Sequence, residues 1–404
     1  MGVILNDFIP GVTPIPASNA VITQADKDAM IEQVNKGWLT AGPVNAKFEQ
    51  ALSDFTGIKH VRTCNSGSSA NLLAVAAMVE AGHWKAGDEI ITAACAFPTT
   101  VNPLLLYGLV PRFIDVSIPT YSITVEAVEK AISPKTRGIM AAHTLGNPYP
   151  AVMGCLGLPL IEDCCDALGS LYDYSTKHVG TMAKIATCSF FPAHHITTGE
   201  GGAVFTNDFD LMAIVSSVRD WGRACWCNPG ETNSCGFRFD VEVDGVSFDH
   251  KYNATTLGFN LKSTDIGAAC GLSQIRRLPE FIAARQRNFQ FLQDRLLRIN
   301  DHVILPEPTP GTSPSWFGFP ITIRKTGERQ ALQEYLWSHK IDTRLLFTGN
   351  ITRHSYMKGR NFRVSGSLAN SDKIMADSLW LGIHPHLDER HLEFVADKLT
   401  AFFS

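Results

Sequence analysis

The alternation of apolar strands with helical stretches constrains the fold of this chain more than any other feature. Residues 87–92, 110–116 and 138–142 are short apolar runs typical of buried strands. Residues 72–80 and 125–132, by contrast, have helical spacing. Such alternation is typical of a mostly parallel sheet with helices on both faces. We therefore predict an α/β fold that binds its ligands at the carboxyl ends of the strands.

The length of the chain, 404 residues, is enough for two or three domains. We predict a large ligand-binding domain over residues 1–265 and a smaller C-terminal α/β domain over residues 266–404. The large domain would carry an extended, Pro-rich N-terminal arm and a cysteine-rich loop over residues 220–236.

Composition excludes several classes of function. Hydrophobic residues make up 45% of the chain and charged residues 18%, which is ordinary for a soluble globular enzyme. A net charge of -4 without a run of Lys or Arg argues against nucleic-acid binding. No apolar run reaches the roughly 18 residues needed to span a bilayer, and the N-terminus lacks a signal sequence. We expect a cytoplasmic protein with no membrane contact, in which the ten cysteines are core thiols plus a metal or redox site.

Two short motifs predict where a phosphate-bearing, nitrogen-containing ligand would bind. Ser66, Gly67 and Ser68 precede a helical stretch, so backbone N–H groups and the positive end of a helix dipole would face an anion. The same residues also make a good helix cap. Asp163 ends an apolar run, and a carboxylate there would keep a pyridine nitrogen protonated. A helix cap or an ion pair is the structural alternative for Asp163.

The most specific motif lies at residues 189–202, which read Ser-Phe-Phe-Pro-Ala-His-His-Ile-Thr-Thr-Gly-Glu-Gly-Gly. It resembles the cofactor-attachment segment of the DegT/DnrJ/StrS-type sugar aminotransferases, which use pyridoxal phosphate. In that family a lysine occupies the place that His194 holds here. The resemblance implies the aspartate aminotransferase fold, fold type I of the pyridoxal phosphate enzymes.

The resemblance also implies roles for individual residues. Phe97 would stack on the cofactor ring, Asn260 would reach a neighbouring subunit's cofactor phosphate, and a homodimer follows from that contact. Arg344 and Trp316 would face the substrate. The full set of cofactor-binding residues implied in this way is Ser66, Gly67, Ser68, Phe97, Asp163, Ser189 and Asn260.

The exchange of lysine for His194 changes the predicted reaction. A lysine amine forms a Schiff base with the cofactor aldehyde and also moves protons, whereas imidazole does only the second. We therefore expect pyridoxamine phosphate to be held noncovalently. His194 would act as a general base, and the substrate would lose a hydroxyl group next to its ketone.

Three cysteines lie in a polar, turn-rich segment, where buried free thiols are uncommon. Cys225, Cys227 and Cys235 could hold a soft metal with Cys165 or Cys164 as the fourth ligand. Their spacing alone leaves zinc as an equal alternative.

The histidine and the cysteines together resemble the 3-dehydrases that make 3,6-dideoxyhexoses, whose prototype acts on CDP-4-keto-6-deoxyglucose. That resemblance implies a 2Fe-2S cluster held by Cys165, Cys225, Cys227 and Cys235. It also implies a nucleotide-sugar substrate and an NADH-dependent flavin and iron-sulfur reductase as partner.

Several alternatives stay open at this stage. A cluster-free dehydratase that takes its amine from glutamate would share His194 but would not need the cysteines. A binding protein derived from an inactive aminotransferase would also lack the lysine. The nucleotide is not legible, so a dTDP-linked 2,6-dideoxy sugar is the alternative to a CDP-linked one.

Overall fold

The computed structural model describes residues 8–172, 176–225, 227, 231 and 233–404. The first seven residues of the predicted N-terminal arm and five positions of the predicted cysteine-rich loop lie outside this description. The helices in chain order are α1 Gln24–Lys36, α2 Pro43–Thr56, α3 Gly67–Glu80, α4 Pro98–Leu106, α5 Val125–Ala131, α6 Phe209–Arg219, α7 Asp265–Gln274, α8 Leu278–Leu296, α9 Arg329–Ser338, α10 Ala369–Asp377 and α11 Glu389–Phe403.

The strands follow the predicted alternation with these helices. In chain order they are β1 His60–Cys64, β2 Glu89–Ala93, β3 Val110–Ile114, β4 Thr136–Ala142, β5 Leu160–Asp163, β6 Leu171–Tyr172, β7 Lys177–His178, β8 Ile185–Ser189, β9 Gly202–Thr206, β10 Val241–Val243, β11 Val246–Phe248, β12 Val303–Ile304, β13 Phe319–Ile323, β14 Thr343–Arg344, β15 Arg363–Val364 and β16 Ser378–Leu381.

Within the described residues, the main sheet has eight strands in the order β1-β9-β8-β5-β4-β2-β3-β15. Strands β8, β5, β4, β2, β3 and β15 run parallel, and β9 is antiparallel to both of its neighbours. The predicted large, mostly parallel mixed sheet is therefore confirmed. β2, β8 and β9 are buried along their whole length, as expected where helices cover both faces.

A second sheet, ordered β12-β13-β16-β14, is antiparallel and packs with α8, α9 and α11. Segments from the N-terminal and the C-terminal parts of the chain pair with each other. β15, from the C-terminal part, joins the edge of the main sheet beside β3. Ile15, from the N-terminal arm, pairs with Ile341. The division at residue 265 stays a prediction.

The connection between β4 and β5 holds no α-helix. Two 3-10 helices, Thr144–Gly146 and Ala151–Cys155, lie in it. No helix in the described ranges is long and apolar enough to cross a membrane.

Candidate active site and cysteine cluster

A cavity of about 640 Å³ lies at the carboxyl ends of the main-sheet strands. The parallel strands β4 and β5 end there, and the turn after β8 closes one side. Seven of the predicted site residues line it: Gly67, Ser68, Phe97, Asp163, Cys165, Ser189 and His194. The position matches the expectation for ligands of open α/β sheets.

The N-terminus of α3 forms one wall of the cavity. Ser66 caps the helix, and its Oγ accepts a hydrogen bond of 3.0 Å from the backbone N–H of Ser69. A Cβ atom at position 67 would lie 2.5 Å from Ser189 Cβ, so only glycine fits there. The motif is thus a helix cap and a narrow cradle of backbone N–H groups at once. This cradle fits a phosphate group.

Asp163 lies at the end of β5 and is 5% exposed. One of its oxygens, Oδ2, accepts hydrogen bonds of 2.8 Å from Asn71 Nδ2 and from Thr100 Oγ1. The other, Oδ1, accepts from the backbone N–H of Cys165 at 3.2 Å. Thr187 Oγ1 in turn donates to Asn71 Oδ1 at 2.6 Å. The carboxylate is therefore held in one orientation on the cavity wall.

Asn71 and Thr100 were not predicted as site residues. Both are buried, and both belong to helices that are rich in apolar residues. A buried polar residue in such a helix needs a hydrogen-bond partner, and that requirement is the signal that could have identified them.

Of the two adjacent histidines, only His194 lines the cavity. His195 points away, and its Nε2 is 3.0 Å from the carbonyl oxygen of Ser315. The His194 ring packs 5.1 Å from the ring of Phe317. Burial, with a smaller effect from the Arg285 charge, lowers the pKa of His194 to about 3. The imidazole is therefore neutral at neutral pH and has a lone pair for a proton.

Asp166 is the carboxyl group next to this histidine. Its Oδ1 lies 3.5 Å from His194 Nδ1. Burial, and then repulsion from Asp163, raise the pKa of Asp166 to about 7. Sequence reasoning did not single out Asp166, because its proximity to His194 arises only when β5 and β8 lie side by side.

The two candidate fourth cysteines face different environments. Cys165 lines the cavity. Its Sγ lies 3.0 Å from the point where a Cβ atom would stand if residue 67 were not glycine. Cys164 packs in the apolar core on the other side of the sheet. Burial raises the pKa of both thiols.

The three loop cysteines lie near a histidine, His250. Ligand atoms of Cys225, Cys227 and His250 all lie within 4.8 Å of one another. Cys235 Sγ is 3.6 Å from His250 Nε2. A hydrogen bond from Ser234, the largest of several effects, lowers the pKa of Cys227 to about 7. The donor set of thiols and imidazole fits a soft metal centre.

Cys165 lies in the cavity wall, and the three loop cysteines are not among the residues that line the cavity. The predicted four-cysteine ligand set is thus divided in this structure. His250 was not predicted as a neighbour of the cluster. Trp226, the residue between the first two cysteines, lies outside the described residues.

Asn260 lies on the surface, outside its own chain's cavity, and its Oδ1 accepts a 2.7 Å hydrogen bond from Lys262. The next residue, Leu261, accepts a 2.8 Å hydrogen bond from Asn65 beside the phosphate cradle. The predicted contact of Asn260 with a neighbouring subunit's phosphate stays a prediction.

Of the two residues expected to face the substrate, Arg344 lines the cavity. Trp316 does not, because it is buried and stacked 3.9 Å from Phe289. The aromatic residue that reaches the cavity from this segment is Phe317.

Comparison with known proteins gives consistent matches over nearly the whole chain. The pattern of the DegT/DnrJ/EryC1/StrS aminotransferase family matches residues 21–400. The lipopolysaccharide biosynthesis protein RfbH of Salmonella typhimurium is 47% identical over 98% of this chain and 93% of its own length. The dTDP-4-dehydro-2,6-dideoxy-D-glucose 3-dehydratase of Saccharopolyspora spinosa is 42% identical over 98% of this chain and 88% of its own length.

Solved structures agree with these matches. A crystal structure of Escherichia coli GDP-4-keto-6-deoxy-D-mannose-3-dehydratase with bound hydrated pyridoxal phosphate superposes with a TM-score of 0.85. Its identity to this chain is 27%, and the match covers 95% of this chain and 99% of that one.

Proposed function

Because the chain belongs to the DegT/DnrJ/EryC1/StrS aminotransferase family, we propose that it removes the C3 hydroxyl group of a nucleotide-linked 4-keto-6-deoxyhexose in deoxysugar biosynthesis. The observation that carries this proposal is His194 in the cavity wall, at the place where the aminotransferases of this family have their lysine. Two relatives, one from Saccharopolyspora spinosa and one from Escherichia coli, are named as 3-dehydratases of nucleotide-linked deoxysugars. Both names support this reaction class.

The cavity has the groups that pyridoxamine phosphate needs. The N-terminus of α3 at Gly67 and Ser68 would hold the phosphate, and Asp163 would pair with the ring nitrogen. Phe97, which is half exposed on the cavity wall, offers a face for the ring. When bound, the cofactor supplies an amine that condenses with the sugar's ketone and a ring that accepts electrons.

His194 would accept and return the proton in this reaction. A neutral imidazole suits the task, since a general base must be unprotonated before it acts. The apolar neighbours Phe191 and Phe317 would exclude water from the reacting atoms. The chain cannot tether the cofactor through residue 194, because imidazole does not form the Schiff base that a lysine amine forms.

For the cysteines we propose the 2Fe-2S cluster, with Cys225, Cys227 and Cys235 as three of its ligands. Their convergence supports a metal centre, and the fourth ligand is Cys165 in the proposal. A cluster would accept electrons singly from an NADH-dependent flavin and iron-sulfur reductase. Zinc held by the three thiols and His250 is the competing assignment.

The proposed substrate is CDP-4-keto-6-deoxyglucose. A dTDP-linked 4-keto-2,6-dideoxyhexose is a second candidate, which the name of the 42% identical relative favours. Turnover of the two nucleotide sugars by the same preparation separates them. A homodimer is proposed on the family's architecture and on the exposed position of Asn260.

The deciding experiment is the visible spectrum, with iron and sulfide content, of protein purified without oxygen and supplied with pyridoxamine phosphate. Absorption between about 400 and 600 nm with about two irons and two sulfides per chain would support the cluster. Zinc, or no metal with activity that depends on glutamate, would instead support a cluster-free dehydratase.

Two variants complete this test. His194→Lys should lose dehydration and trap pyridoxal phosphate as an adduct that borohydride makes permanent. Cys165→Ser and His250→Ala, compared for metal content, identify the fourth ligand. Retention of dehydration by His194→Lys would refute the proposed role of the histidine.

A further inference from the structure

Two neighbouring buried side chains in the active-site cavity each have one polar atom without a hydrogen-bond partner. Among the described residues, neither His194 Nδ1 nor Asp166 Oδ2 has a hydrogen-bond partner. The other carboxylate oxygen, Asp166 Oδ1, lies 3.5 Å from His194 Nδ1. Buried polar atoms in native proteins are nearly always paired, so the unpaired Nδ1 and the carboxylate beside it point to one interaction between the two side chains.

Within the described residues, hydrogen bonds fix the backbone of His194 but not its ring nitrogens. Its backbone N–H donates to Phe191 O at 2.9 Å, and its carbonyl oxygen accepts from Arg285 at 3.5 Å. Phe317 packs on the ring and its own carbonyl oxygen accepts from Arg285 at 3.0 Å. In the part of the chain that the structure describes, Asp166 is the only carboxylate within 4 Å of the His194 ring nitrogens.

The position of Asp166 is itself restrained. It follows β5, is 7% exposed, and receives a backbone hydrogen bond from Leu145. Leu145 has a φ of +49°, which is unusual for a residue other than glycine. A conformation of this kind costs free energy, and it persists only where the surrounding contacts hold the backbone in place.

We propose that Asp166 is the positioning residue for His194: it accepts the Nδ1–H of the imidazole and so leaves the lone pair on Nε2 for the reacting proton. The proposal rests on the function proposed above, in which His194 is the general base. A neutral imidazole has one N–H and one lone pair, and the hydrogen bond at one nitrogen decides which nitrogen carries the proton. A carboxylate that orients a catalytic histidine in this way is a recurring arrangement.

The first test measures the unaltered protein and needs no substrate. Protein labelled with 15N-histidine and supplied with pyridoxamine phosphate is studied by NMR near neutral pH, and the His194→Gln variant identifies the His194 signals by their loss. We expect a protonated Nδ1 and an unprotonated Nε2. The reverse tautomer in the unaltered protein would overturn the proposal.

The second test uses Asp166→Asn, which keeps the size of the side chain and replaces one oxygen with an N–H₂ donor. We expect the tautomer to switch to protonated Nε2 and kcat to fall by about 100-fold, with KM changed little. Asp377→Asn is the control, because Asp377 is an equally buried carboxylate in the small domain, bonded to Thr326 and Lys373. The control should change neither the tautomer nor kcat.

An unchanged tautomer in Asp166→Asn and also in Asp166→Ala, which has no side-chain acceptor, would show that another group holds the proton and would overturn the proposal. The NMR result is independent of the reaction. If the enzyme removes no hydroxyl group but Nδ1 is protonated only when Asp166 is present, then the proposed function fails and the positioning role stands.

Discussion

The hydrogen bond from Thr100 to Asp163 should stabilise the folded protein measurably. Thr100 is 1% exposed, and its Oγ1 donates to Asp163 Oδ2 at 2.8 Å. Thr100→Val removes this donor while the shape of the side chain stays nearly the same. Because hydrogen bonds to charged groups contribute about 1.5–3 kcal/mol, we expect the free energy of unfolding to fall by about 2 kcal/mol.

The chain offers a matched control at Thr92. Thr92 is fully buried on β2, and its Oγ1 has no hydrogen-bond partner within the described residues. Thr92→Val therefore removes a hydroxyl group that is buried without compensation, and we expect no loss of stability or a gain of about 1 kcal/mol.

The assay is urea unfolding of both variants without cofactor, followed by titration with pyridoxamine phosphate. Thr100→Val should also bind the cofactor more weakly, because Asp163 then keeps Asn71 as the side-chain donor to Oδ2 but loses its second one. Equal destabilisation by the two substitutions would refute the reasoning. It would mean that the free energy of unfolding responds to the loss of any buried hydroxyl group, and not to the loss of the hydrogen bond from Thr100 to Asp163.

Three further predictions concern burial and packing. Burial lowers the pKa of His384 to about 3, so the unfolded chain takes up this proton below pH 6.5 while the folded chain does not, and stability is lost as pH falls. The urea unfolding of His384→Gln should therefore lose about 2 kcal/mol less stability from pH 7 to pH 5 than the unaltered protein loses. Gly67→Ala should cost about 1–3 kcal/mol of unfolding free energy and weaken cofactor binding, and adding Ser189→Gly should recover part of both. Glu162→Gln should destabilise by about 1–3 kcal/mol in the same assay, because buried Glu162 accepts hydrogen bonds from Tyr172 and from two backbone N–H groups, and an amide N–H₂ group cannot accept one. Unchanged unfolding of any of these variants would contradict the corresponding reasoning.

Much of the fold and the cofactor side of the cavity could be predicted from local sequence. The alternation of apolar and helical stretches predicted the main sheet, and the structure has α5 at Val125–Ala131 and β4 at Thr136–Ala142 within two residues of expectation. Ser68 and Asp163 were predicted as site residues because the first precedes a helical stretch and the second ends an apolar run. Their chemistry depends on a helix N-terminus and a strand end, which are local features.

The groups that the sequence did not indicate are those defined by contact between distant segments. Asn71 and Thr100 meet Asp163 across 92 and 63 residues of chain. His250 meets Cys235 at a separation of 15 residues, with a strand pair between them. Trp316 and Phe317 are neighbours in sequence, yet only the stacking of Trp316 on Phe289 decides which of them reaches the cavity.

The sequence by itself determined the class of fold, the cofactor-binding motifs and the exchange of lysine for His194, because each is set by the identity of residues within one segment. The tertiary structure alone decided that Asp166 stands beside His194, and that the His195 ring turns toward the carbonyl oxygen of Ser315. Those two outcomes depend on how β5 and β8 align and on where the following turns direct their side chains. Register between strands is a property of the whole sheet, and no single segment specifies it.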